Sequence, residues 1–217
     1  MDKKKPLLFR AVFYLFGLFL IACGAVFSIY SGLGTTPVSA LPYAVSIATG
    51  IEFGSCATAL FALYFFIQLI LLRREFNRIN ILQLLCSVIF GILINVIKST
   101  IDPFELQTYM GKLAVLFVSI IMSSFGLLFY LSARLISLPP EGIVLAFATK
   151  LKRPFHGIKI AFDITSVLLG CLITFAVLGH IDGIREGTAI SAIATGKLLA
   201  VISKPLKPKL DKFLKTI

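Results

Sequence analysis

Gly32-Leu33-Gly34-Thr35-Thr36-Pro37-Val38-Ser39-Ala40-Leu41-Pro42-Tyr43 is the stretch whose reading decides the fold. It follows a long apolar run, and no straight helix passes through it. Pro37 and Pro42 each lack a backbone donor, and Gly32 and Gly34 permit a sharp turn. A second interrupted stretch, Ser137-Leu138-Pro139-Pro140-Glu141-Gly142, follows another long apolar run. Broken segments at matching places in two halves of a membrane chain point to a transporter's binding site.

The composition places these breaks in a membrane. Of 217 residues, 58% are hydrophobic and only 14% charged, with a mean hydropathy of +0.98. Soluble domains run at roughly 45–50% apolar and about 25% charged. Apolar runs at 8–31, 54–72, 79–97, 112–134, 157–179 and 187–203 approach or reach the roughly 20 residues that cross a bilayer. The expected fold is therefore all-α, with six transmembrane helices forming one membrane domain over 1–217. The net charge of +11 sits at the ends of the runs, which reads as topology and excludes a nucleic-acid face. Cys23, Cys56, Cys86 and Cys171 all lie inside apolar runs, with no CxxC and no neighbouring histidine. They read as small core hydrophobes, and neither a metal nor a cofactor is expected. Met1 to Arg10 is basic like a signal peptide, but the run behind it is too long for one, so an uncleaved first helix is expected.

Charge sets the orientation. Lys3, Lys4, Lys5 and Arg10 precede the first run, and Arg73, Arg74 and Arg78 separate the second from the third. Lys150, Lys152, Arg153 and Lys159 accompany the start of the fifth, and Lys204, Lys207, Lys209, Lys212 and Lys215 follow the sixth. All four clusters, both termini and a basic tail over 204–217 are expected on the cytoplasmic side of a bacterial inner membrane. The other connections are poor in Lys and Arg and carry Glu52, Asp102, Glu105, Asp182 and Glu186. This pattern works only if 35–49 and 138–149 do not cross. Each is short for a span and reads as a re-entrant half-helix, tolerated where buried in protein or lining a wet cavity.

The chain then divides into halves of one plan, 8–97 and 112–203, inverted because the first begins inside and the second outside. Phe16-Gly17-Leu18 recurs as Phe125-Gly126-Leu127, and Gly91 answers to Gly196. GLGTTPVSALPYAVSIATG, LPPEGIVLAFATKL, IAFDITSVLLG with Asp163, and REGTAISAIATGK together resemble the YczE/YyaS/YitT family of bacterial membrane proteins over roughly residues 10–203. The third helix departs from the pattern: Asn80-Ile81-Leu82-Gln83 stands where a pair like Gly187-Thr188 is expected. The resemblance implies fold and location, not a substrate.

The candidate site follows from the breaks. A half-helix starting at Thr35–Pro37, with Thr35 or Thr36 as cap and Pro37 in the first turn, would aim free amides and a positive dipole end inward. Pro139-Pro140 followed by Gly142 offers the same. Two such ends meeting at the midplane would make a polar, anion-tolerant pocket, with Gly34, Thr35, Thr36, Pro37, Ser39, Pro139, Pro140, Glu141 and Gly142 as the binding set. Glu141 suits the dipole in a first turn, or binds a cation or proton. Asp163 lies inside an apolar helix, where an ionised group costs roughly 2.5–3.5 kcal/mol. It either carries a coupling proton or pairs with Lys159 one turn earlier. Lys197 either faces the pocket or snorkels to the cytoplasmic surface. Gln83 and Asn95 read as bonds between helices. Arg134 reads as an interfacial anchor, and Arg185 and Glu186 as an outer mouth or a solvated loop. His156 and His180 lie in loops without metal-like partners. There is no nucleotide loop, HExxH or nucleophile–base pattern, so an enzyme is not expected. The reading is a transporter or permease for a small molecule or ion, the lipid bilayer being its other partner. A homo-oligomer stays open, and the alternative is a non-transporting subunit or regulator docked through the basic tail.

Overall fold

The computed structural model of the protein describes residues 4–103 and 106–216. Lys3 and Glu105, counted above among the loop charges, lie outside them. The described residues form eight α-helices and no strand. They are α1 (Lys4–Tyr30), α2 (Pro37–Thr49), α3 (Phe53–Leu72), α4 (Leu82–Thr100), α5 (Tyr109–Ala133), α6 (Pro139–Leu151), α7 (Phe155–Leu178) and α8 (Glu186–Thr216). Two short 3-10 turns, Arg73–Glu75 and Arg78–Ile81, join α3 to α4. Six helices are long and apolar enough to cross a membrane, and they fall on the six apolar runs.

The two shorter helices, α2 and α6, have 13 residues each. At 1.5 Å per residue that is about 20 Å, short of a roughly 30 Å hydrocarbon core. Each opens on proline in its first turn, after an extended residue, Thr36 or Leu138. Proline there sacrifices no helical hydrogen bond and starts the helix with its φ already set. Pro42 falls inside α2 without ending it.

Small residues hold the bundle together. α1 and α5 run antiparallel with backbones in contact: a Cβ on Gly17 would lie 2.8 Å from Gly126 O, and one on Gly126 would lie 2.8 Å from Gly17 O. The repeated Phe-Gly-Leu triplets thus face one another. Around this seam the contacts of α1 to α4 compare with those of α5 to α8 taken in the same order. α2 packs mainly on α7, and α6 on α3; α1 meets α4 as α5 meets α8. Counting α2 and α6 from Pro37 and Pro139, and α3 and α7 from Phe53 and Phe155, Ala40 corresponds to Gly142 and Gly170 to Gln68. A Cβ on Gly170 would sit 3.2 Å from Ala40 O, and one on Gly142 would sit 2.5 Å from Gln68 Oε1.

The close contact of α3 with α4 has no counterpart between α7 and α8. α3 and α4 press together so closely that a Cβ on Gly91 would come 2.5 Å from Gly54 O. Asn95 completes that seam, accepting the Gly54 amide at 2.8 Å and donating to Glu52 Oε2 at 2.6 Å. α7 and α8 do not pack in this way. Gly196, the residue answering to Gly91, has no atom within 4 Å of its notional Cβ. A cleft of about 270 Å³ separates the two helices, lined by Asp163, Val167, Thr188 and Ala192, with Pro37 also contributing.

α8 also differs from expectation. It continues as helix to Thr216 through Pro205 and Pro208, so the basic tail extends the sixth span. Each proline removes one ladder bond, which water at a helix end replaces. Phe213 holds the extension in place, its ring 6.2 Å from Phe9 and 6.0 Å from Phe13.

Candidate functional site

The start of α2 is built on the start of α8. The Thr35 amide donates to Thr188 Oγ1 at 3.1 Å, the Gly187 amide to Leu33 O at 2.8 Å, and Arg185 Nη1 to Gly32 O at 3.3 Å. Ser28 Oγ donates to Gly34 O at 3.1 Å from the α1 side. Gly34 has φ +117 and passes within 2.5 Å of Thr188 Oγ1, measured from a notional Cβ, so only glycine suits it. Thr35 is fully buried with its Oγ1 unpartnered, and Thr36 caps without a side-chain bond. Ser39 is buried in the first turn. Arg185 and Glu186 are exposed and bond each other at 3.3 Å.

The start of α6 lies against α3, α4 and α5. The Leu138 amide donates to the Tyr130 hydroxyl, and Pro139 and Pro140 are buried behind it. Glu141 keeps its Oε2 out of solvent with no hydrogen-bond partner. Gly142 opens the space beside it, where Gln68 Oε1 and Gln83 Nε2 stand 2.5 and 3.1 Å from the notional Cβ. Gln68 and Gln83 are 2% and 1% exposed, and the Oε1 of each lacks a donor. Tyr14 completes the cluster: its ring is 5.3 Å from that of Tyr130, and its buried hydroxyl lies beside Cys86.

The two helix starts do not meet as expected. α2 packs mainly on α7 and α6 on α3, and the two short helices do not pack closely on each other. What relates the starts is α7. Its Asp163 lines the cleft that Pro37 also lines, and the charges of Asp163 and Lys159 both act on Glu141. Asp163 Oδ1 and Lys159 Nζ form a half-buried salt bridge of 2.5 Å, the pairing foreseen as one of two alternatives. Lys197 is exposed on α8 and is not Asp163's partner. Asn95 bonds across helices as expected, whereas the Gln83 oxygen is left unbonded. Gln68 was not singled out from the sequence at all. A single amide inside the apolar run FFIQLILL, where the other half carries glycine, was the available signal.

A described chain of helices, six of them able to span a bilayer, with buried polar groups gathered at the starts of two short helices, defines a polytopic α-helical membrane protein. Within that class it belongs to the family of unknown function DUF6198, whose pattern matches residues 8–204. Among its relatives are the uncharacterized membrane protein YczE of Bacillus subtilis (strain 168), 26% identical over 197 residues covering 90% of this chain and 86% of YczE. YyaS of the same organism, also uncharacterized, is 27% identical over 88% of this chain and 91% of YyaS. No solved structure matches the chain.

Proposed function

We propose that the protein is a transporter of a small solute, with α2 and α6 as re-entrant half-helices of an inverted repeat and the cleft between α7 and α8 as one of two alternating openings. The observation that carries this reading is the unequal pair of seams. Two halves that exchange helix for helix ought to pack alike, yet α3–α4 is closed on Gly54 and Gly91 while α7–α8 is open. Exchanging the halves generates a second state of similar energy, open at α3–α4 and closed at α7–α8, which is the rocking expected of inverted repeats. The hydrogen bonds support re-entry. Tyr30 at the end of α1 and Gly54 at the start of α3 both bond the last turns of α4, to Ile101 O and Asn95, so 31–52 leaves and returns at one end of the bundle. Lys150 at the end of α6 reaches Glu75 at the end of α3, at 2.8 Å. A cytoplasmic-membrane location with both termini inside follows from the basic clusters at that other end.

Two engineered pairs in a cysteine-free background test the reading in native membranes. Thr58→Cys with Ser87→Cys should cross-link across the closed seam, and Val167→Cys with Ala192→Cys across the open one in the other state. Fixing the first pair should suppress linking of the second. Independent linking of the two, or no linking of the second under any condition, removes the alternating reading. The uncovered outer face of α8 supports one other reading, a subunit that docks on another membrane protein. Co-purification of a stoichiometric partner in mild detergent, with no exchange between the seams, would favour it.

A further inference from the structure

The polar chamber at the start of α6 is not required by the packing. In the exchange of halves, Gln68 corresponds to Gly170 and Gln83 to Thr188, and the first half-helix is seated well with those small residues. The second seat instead holds two glutamine amides and a carboxylate. Gln68 Oε1 on α3, Gln83 Oε1 on α4 and Glu141 Oε2 on α6 are each buried without a donor, and Gln68 Oε1 faces Gly142, the residue next to Glu141. Leaving such a group unmade costs about 1–3 kcal/mol each, more for a charged one. The glutamines are at most 2% exposed, and Gln68 Oε1 and Gln83 Nε2 press on Gly142, where only the absence of a side chain lets them approach.

Charge points the same way. Lys159 attracts Glu141 and Asp163 repels it, but Lys159 is already bonded to Asp163. Glu141 is thus left without a bonded ammonium among the described residues. Tyr14, Cys86 and Tyr130 are the neutral groups beside it from α1, α4 and α5. A recess of about 250 Å³ leads to this place from the turns joining α3 and α4. Its walls include Asn77, Asn80 and Thr149, with Gln68 and Gly142 at its inner end.

We infer that the start of α6 binds a small monovalent cation, held by Glu141 and Gln68 and admitted through the recess between α3 and α6. An ammonium-type solute would offer N–H donors to these two oxygens, and an alkali ion would coordinate them directly. The inference rests on the transport reading only for what the ion then does, since binding is read without flux.

The test is thermal unfolding of the purified full chain in detergent, with N-methyl-D-glucamine chloride as the inert salt. Sodium, potassium, ammonium, methylammonium or guanidinium chloride replaces it at constant ionic strength. A saturable rise in midpoint of roughly 5–10 °C with at least one cation is expected, the size that a ligand at about a hundredfold its Kd gives a chain of this length. A response to sodium or potassium identifies a coupling ion, and one confined to the nitrogen cations identifies the solute. Glu141→Gln and Gln68→Leu should each weaken the response at least tenfold, and Gly196→Ala should leave it unchanged. Should Glu141→Gln fail to fold, Gly142→Ala replaces it, placing a methyl between the amides. A response that survives these variants, or no response to any cation while acidification alone stabilises the protein, overturns the inference. A protein that binds the ion yet shows no exchange between its seams keeps this inference and loses the transport reading.

Discussion

Gly91 and Gly196 occupy corresponding positions and should answer the same substitution with opposite signs. In Gly91→Ala the new methyl would fall 2.1 Å from Thr58 Oγ1 and 2.5 Å from Gly54 O. The threonine can rotate, but the glycine oxygen belongs to the backbone of α3 and cannot give without parting the two helices. Overpacking typically costs about 1–3 kcal/mol, and a backbone clash belongs at the upper end. Alanine recovers at most about 1 kcal/mol of helix propensity, so destabilisation by about 2 kcal/mol remains. For a chain of this size that lowers the midpoint by roughly 4–8 °C. In Gly196→Ala nothing lies within 4 Å of the methyl, so the propensity gain stands alone and the midpoint holds or rises slightly. The chain has no tryptophan, so unfolding is best followed with a thiol-reactive dye. Cys23, Cys56 and Cys86 are buried and become reactive when the bundle opens. Equal losses at both glycines would refute the claim that one seam is closed and the other open.

Gly34→Ala meets both a left-handed φ and Thr188 Oγ1 at 2.5 Å. It should cost about 1–3 kcal/mol in the same assay, and Thr188→Ala in that background should not restore it, because the φ strain remains. Lys159→Ala strands Asp163 in a half-buried setting, at a cost between about 1 kcal/mol and the 3–5 kcal/mol of a fully buried pair. The double variant with Asp163→Asn should recover most of that loss, and failure to do so would mean the lysine matters through packing. Glu75→Ala breaks a pair whose side chains are well exposed and should shift the midpoint by less than about 1 kcal/mol, an effect that fades in salt. Asn95→Ala leaves the Gly54 amide without its acceptor and should cost about 1–3 kcal/mol, lowering the midpoint by several degrees.

The spans were legible because a bilayer imposes length and apolarity on any crossing helix, and little else. The start of each short helix was legible because Pro37 and Pro139-Pro140 are compatible with a first turn and hostile to an interior. Glu141 and Asp163 stood out because a charge within an apolar run is costly. Gln68 did not, since one amide in such a run reads as ordinary adhesion between helices. Nor could the spacing of residues tell that α2 packs on α7 and α6 on α3, because which helices become neighbours is settled by contacts distant in sequence. The open cleft escaped for the same reason: Gly196 looks in sequence just as Gly91 does, and only the neighbouring backbone distinguishes them. α8 runs on through Pro205 and Pro208 into the basic tail, a continuation the sequence reading did not address.

The interlaced seating of the short helices bears on how the chain is made. α2 finds its main support on α7, which leaves the ribosome only after α6 has been synthesised, whereas α6 finds α3 already in place. The first short helix must therefore wait at the membrane with its bed unbuilt, its prolines exposed to whatever insertion factor attends it. Neither half should mature if produced alone, and two separately encoded halves should regain the fold only when produced together.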